Sequence, residues 1–137
     1  MAKKTYKITI GELVNRLLPA LKSASLLTYK GAPMSFLFSM AENRIECEER
    51  YKAYVSTHEK ILKEHSVTDN NGEPVTEEVN GQMGYKLKNA IAFEDAIKEL
   101  EQTQLEVKLH PLDKDHFSKC KDLSPDLIAG LMVLLKK

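Results

Sequence analysis

Residues 33–66, PMSFLFSMAENRIECEERYKAYVSTHEKILKEHS, contain no glycine and no proline after Pro33. A stretch so free of breakers reads as one long helix. Proline with its fixed φ suits the first helical position, and Gly31 just upstream closes whatever precedes it. At 1.5 Å per residue such a helix is about 50 Å long, more than a domain of this size usually spans. It therefore needs packing partners along its length.

Alternating steps of three and four place Leu37, Met40, Arg44, Cys47, Tyr51, Tyr54, His58, Ile61 and His65 on one face. A face made only for packing would carry leucine at most of these positions. Here an arginine, two tyrosines and two histidines share the stripe, and their polar tips need acceptors or donors on another helix, on a second copy of the chain, or on a ligand. The neighbouring row, Met34, Phe38, Ala41, Ile45, Val55 and Leu62, is expected to supply the ordinary core contact, interrupted by Glu48 and Lys52. The first third of the helix is expected to be deeply buried and the later turns half exposed or used at an interface.

Around this helix the chain alternates periods. Tyr6, Ile8 and Ile10 have the spacing of a half-buried strand. Thr9 and Glu12 have the capping-box spacing, and Leu13, Leu17, Leu21 and Ala24 follow at helical steps. Pro19 is expected to kink that helix, whose end is placed near Tyr29 and Lys30. Residues 67–89 hold four Asn and three Gly. The Asn71-Gly72 and Asn80-Gly81 pairs favour positive φ, so Val75 to Val79 and Met83 to Leu87 are candidate strands, with a mobile loop as the competing reading. Asn89 caps a helix with Phe93, Ala96, Ile97 and Leu100 as its buried stripe. Leu105, Val107 and Leu109 alternate as a second strand able to pair with residues 5–10. Residues 113–121 read as a short charged helical connector. Ser124 and Pro125 open a strongly apolar last helix closed by Lys136 and Lys137, expected to pack on the long helix or to mediate self-association. Gly130 allows a close helix crossing there. The expected fold is α+β, helix-dominated, one domain over residues 1–137, with a small sheet of two to four short strands.

Lys plus Arg equals Asp plus Glu at 20 each, which removes any general attraction to nucleic acid or to an anionic membrane. No apolar run is long enough to span a bilayer, and the first ten residues alternate where a secretory signal has its apolar core, so a cytoplasmic protein is expected. Cys47 and Cys120 lie in unrelated segments without metal-ligand spacing and are read as small apolar residues.

For chemistry, Glu42, Glu46, Glu48 and Glu49 have helical spacings at which two carboxylates could hold a divalent cation. Glu46-Cys47-Glu48-Glu49 resembles the first half of the Glu-x-x-Glu signature of all-helical nucleoside triphosphate pyrophosphatases. The matching Glu-x-x-Asp on a later helix is missing, and a solvated face paired with Arg44, Arg50 and Lys52 is preferred. His110, Asp113, Asp115 and His116 match no common zinc spacing. There is no phosphate loop and no nucleophile with a local base. The chain is therefore read as non-enzymatic, with no metal and no cofactor. The candidate ligand-binding residues are Arg44, Arg50, Tyr51, Tyr54 and His58: guanidinium groups take phosphate bidentately, and tyrosines stack on a base. The same five residues serve equally as a polar interface between helices.

The order strand, helix, long charged helix, Asn/Gly-rich hairpin, followed by AFEDAIKELEQTQLEVKLHPL, resembles a group of small proteins encoded by bacterial phages and prophages over roughly residues 10–112. The resemblance implies a phage product acting in the host cytoplasm or in a virion. The expected function is a homo-oligomeric binding protein, a counter-defence factor that sequesters a host signalling nucleotide or blocks a host protein. The alternatives are a virion structural or assembly component and a metal-dependent nucleotide hydrolase using Glu46 and Glu49.

Overall fold

The computed structural model describes residues 3–27, 29, 31–117, 120 and 123–135. Strand β1 (Lys4–Thr9) runs directly into a helical segment: α1 (Ile10–Glu12), a π-helical turn (Leu13–Leu17) and α2 (Leu18–Ala24). The long helix α3 follows (Met34–His65), then a hairpin of β2 (Thr76–Val79) and β3 (Gln82–Tyr85). Helix α4 (Ala90–Gln102), strand β4 (Gln104–Leu109), a 3-10 turn (Lys114–His116) and α5 (Pro125–Leu131) complete the order. The α+β class is as the sequence implies, but the strands form two separate antiparallel pairs, β1 with β4 and β2 with β3.

Local signals set most boundaries. Thr9 Oγ1 accepts from Glu12 N at 3.1 Å, Asn89 Oδ1 accepts from Ile91 N and Ala92 N at 3.0 and 3.1 Å, and Ser124 Oγ accepts from Leu127 N at 3.2 Å. Each side-chain oxygen satisfies a donor that a helix start leaves without an intrahelical partner. Asn80 and Gly81 both take positive φ, 53° and 80°, which is the geometry of a two-residue hairpin turn whose twist matches its strands. The hairpin reading of residues 75–87 therefore holds over the mobile-loop one, with slightly shorter strands.

Three expectations are corrected. The first helical segment stops at Ala24 rather than near Tyr29, and Lys30 lies outside the described residues. Leu18 N bonds back to Leu13 O, five residues away, and this wider turn precedes Pro19, which then sits in the first turn of α2. There its missing N–H costs no interior bond. Pro33 is the N-cap of α3, with extended ψ, and not its first residue. Within the chain the last helix packs on α2 rather than on α3, and Lys136 and Lys137 lie outside the described residues. A Cβ at Gly130 would stand 2.6 Å from Ala20 Cβ and 2.9 Å from Arg16 O, so the α2–α5 crossing depends on that glycine.

β1 and β4 pair from Lys4 opposite Leu109 to Thr9 opposite Gln104, and Tyr6, Ile8, Val107 and Leu109 point inward. They join Leu13, Leu17 and Leu21 of the first helical segment, Phe36, Met40 and Cys47 of α3, and Leu127, Leu131 and Leu134 in one buried cluster. Leu112 N donates to Leu134 O at 2.8 Å, drawing the C-terminal segment back against β4.

The long helix does not present the expected face to this core. Its buried residues are Phe36, Ser39, Met40, Asn43 and Cys47, whereas Met34, Phe38 and Ile45 are 66%, 63% and 58% exposed. The row expected to make the core contact points away from it. Ser39 and Asn43, polar and therefore discounted by pattern, lie inside. Asn43 explains itself: Nδ2 donates to His110 O at 2.9 Å and Oδ1 accepts from His110 N at 2.8 Å, so both amide groups are satisfied by the backbone following β4.

Candidate binding surface

The five residues singled out from the sequence fall into three places. Tyr54 and His58 lie in the contact between α3 and α4. The Tyr54 hydroxyl lies 3.4 Å from Glu101 Oε1, its ring is 5.7 Å from that of His58, and His58 in turn meets Phe93 edge-on at 5.8 Å. Burial, then the Glu101 carboxylate beside it, raises the Tyr54 phenol above its ordinary value, so the group remains a neutral donor. His65 closes the same row, 6.2 Å from Phe93, with Nδ1 against Ile61 O at 2.8 Å.

Arg44 and Tyr51 occupy an open shoulder facing α2. Arg44 Nε donates to Glu48 Oε1 at 2.9 Å, and both side chains are nearly two-fifths exposed. The Tyr51 ring is 39% exposed, and Lys22 Nζ from α2 stands 5.8 Å from its centroid. The hydrogen bond from Arg44, together with the charges of Arg44, Lys22 and Lys52, holds the Glu48 carboxyl below the usual range. The Arg44–Glu48 pair thus shares this shoulder with an accessible aromatic ring and the Lys22 ammonium. Arg50 stands apart, 3.4 Å from Glu46. Six residues from Arg44, it is displaced by about 120° around the helix, so the two guanidinium groups do not converge.

Sequence reasoning missed Lys22, which lies on another element and carries no local signal of its proximity to Tyr51. It also missed Glu101, which accepts both from Tyr54 and from Asn15 Nδ2, the latter at 3.2 Å. That carboxylate ties the start of the first helical segment to the middle of α3.

The acidic run is paired residue by residue. Glu46 meets Arg50, Glu48 meets Arg44, and Glu49 lies 3.2 Å from Lys52 Nζ. Glu42 lies 3.8 Å from Lys3 Nζ and 3.6 Å from His110 Nε2, too long for a hydrogen bond to that buried ring. Asp113 caps the 3-10 turn, accepting from Asp115 N at 3.0 Å, and His116 lies against Phe36. Among the described residues no group of three or more His, Cys, Asp or Glu side chains could hold a metal ion. Cys47 is fully buried, and desolvation pushes its thiol up to about 12, so it is packed rather than reactive.

A cleft of about 360 Å³ between α2 and α5 is lined by Asn15, Arg16, Pro19, Ser23, Ser124, Asp126 and Gly130, away from the Arg44–Tyr51 shoulder. Among the described residues no helix is long and apolar enough to cross a membrane. No family model matches the chain, and neither a curated protein nor a solved structure matches it.

Proposed function

We propose that this is a non-enzymatic binding protein that takes an anionic, aromatic ligand of the nucleotide class on the shoulder of Lys22, Arg44 and Tyr51. One observation carries the reading: the half-exposed Arg44–Glu48 pair lies on the same face as the exposed Tyr51 ring, over which Lys22 Nζ stands at 5.8 Å. A carboxylate held this way marks a place where a phosphate, with more charge and more acceptors, competes for the same cations. The half-exposed Arg44–Glu48 pair is of the weak, salt-screened kind and is readily exchanged. Tyr51 supplies a stacking face, and Tyr54 and His58, engaged by Glu101 and Phe93, hold the helix beneath it. In the phage context that the chain resembles, such binding sequesters a host signalling nucleotide.

Isothermal titration with a panel of mono-, cyclic and cyclic di-nucleotides tests this. The expected outcome is saturable heat that falls at least about tenfold in affinity for Arg44→Ala and for Tyr51→Ala, with the melting transition unmoved. Absence of heat across the panel, or loss of folding in both variants, would refute it. The second reading, capture of a host protein or incorporation into a virion, is favoured by the apolar residues exposed along α3 and by Val79, Met83 and Tyr85 on the hairpin. Co-purification with particles, or with one stoichiometric host protein, would establish that reading.

A further inference from the structure

We infer that the outer face of α3 is the docking surface for a second copy of this chain, laid antiparallel across a two-fold axis beside residue 50. This surface adjoins the shoulder just described and shares Glu48 and Lys52 with it. Opposite the side that buries Phe36, Met40 and Cys47, the helix carries Met34, Phe38, Ala41, Ile45, Glu48, Lys52, Val55, Glu59 and Leu62 at alternating steps of four and three. That is the spacing of a left-handed coiled-coil seam. Met34, Phe38 and Ile45 are more than half exposed, Lys52 is 74% exposed, and Val55 and Leu62 remain partly open.

The two charges in the middle identify the occupant. Placed antiparallel about residue 50, the seam meets its own copy with Glu48 on Lys52 and Lys52 on Glu48. Ile45 then meets Val55, Phe38 meets Leu62, and the small Ala41 leaves room for the stem of Glu59. Glu48 and Lys52 find their opposites, and Phe38, Ile45, Val55 and Leu62 find apolar partners, while Met34 lies past the last layer. Other alignments do not achieve this. A shift of one heptad one way sets Glu48 against Glu59, and a shift the other way buries Glu48 on Ile45 and Lys52 on Ala41. A parallel in-register pair sets Glu48 on Glu48 and Lys52 on Lys52. The axis brings Glu49 near its own copy on one flank, where each retains its Lys52 at 3.2 Å. On the other flank it brings the two Tyr51 rings together. The seam from Met34 to Leu62 is about 42 Å long, enough for a stable two-stranded pairing without help from the hairpin.

Sedimentation equilibrium across a micromolar to submillimolar range tests the assignment on the intact chain. The wild-type protein is expected at twice the 15.5 kDa chain mass. Glu48→Lys and Lys52→Glu each place like charges across the axis and are expected to weaken the dimer at least about tenfold. The double swap Glu48→Lys with Lys52→Glu restores opposite pairs and is expected to return the affinity to within about threefold. Phe38→Glu is expected to give a monomer with an unchanged circular dichroism spectrum. A single-chain mass throughout the range, single swaps without effect, or a double swap as weak as the singles would each overturn the inference. Because sedimentation reads assembly mass without any nucleotide present, failure of the nucleotide titration leaves this result readable by itself.

Discussion

One helix passes through two different environments. From Met34 to Cys47, α3 buries five side chains on the side of β4, α2 and the π-helical turn; from Glu48 to His65 it buries none completely. The partners of the second half are equally lean, since α4 has no fully buried residue and both strands of the hairpin are exposed throughout. The first half is held by tertiary packing that removes apolar surface from water. The second is held by continuity with the first, by intrahelical ion pairs, and by a row of ring contacts with α4. Helix length alone therefore says little about burial: once nucleated and anchored at one end, propagation is cheap.

Substitutions at the two ends should separate accordingly. Leu21→Ala, at a fully buried position, is expected to lower unfolding stability by about 2–5 kcal/mol. Ile97→Ala, on the half-buried face of α4, is expected to cost less than half as much; equal shifts in urea midpoint would abolish the contrast. Asn43→Ala leaves the His110 N–H and carbonyl without their buried partners and is expected to cost about 1–3 kcal/mol. Tyr54→Phe removes only the long contact to Glu101 and should shift the midpoint barely at all.

Two glycines give a matched pair. Gly130→Ala must push Ala20 and the Arg16 carbonyl aside and is expected to cost about 1–2 kcal/mol, whereas Gly84→Ala in β3 meets nothing within 4 Å and is expected to be neutral or slightly stabilising. Thermal denaturation of both variants reads the difference directly.

The remaining expected effect lies in pH. The Cys47 thiol is raised from 9.0 to about 12 in the folded chain, so the folded state holds this proton where the unfolded state releases it. Its contribution is fully present below pH 9 and fades as pH rises through about 12. Tyr29, raised by burial and then by the nearby Cys120, acts in the same direction. Cys47→Ala is expected to flatten the alkaline limb of a stability-versus-pH curve, and alkylation of Cys47 should track unfolding.

What could be read from the sequence was what short-range chemistry decides. The caps at Thr9, Asn89 and Ser124, the Asn80-Gly81 turn, the strand alternation at Tyr6–Ile8 and Val107–Leu109, and the close approach at Gly130 all depend on a few neighbouring atoms or on one missing methyl group. The face of α3 was misread because the helix has two apolar stripes, and periodicity cannot say which one faces inward. Phe36, Met40 and Cys47 won because Asn43, between them, found both its partners on a backbone 67 residues away. The candidate surface was legible only in part for the same reason. Arg44 and Tyr51 were visible as a polar seam, while Lys22 reaches them through tertiary packing, and Arg50 is directed elsewhere by the helical turn.

The pairing of β1 with β4 also sets an order of events. Lys4 to Thr9 are made well before their partners Gln104 to Leu109, which follow only after α3, the hairpin and α4. At roughly 5–20 residues per second the wait is about 5–20 s. During it β1 is an unpaired edge carrying Tyr6 and Ile8, and Lys4 beside Tyr6 and Lys7 on the other face discourage capture by a neighbouring nascent chain. The helical segments can form locally while the chain grows, but the sheet that closes the core has to join strands about 100 residues apart. Such a long-range closure makes this step of folding slow and dependent on synthesis through β4.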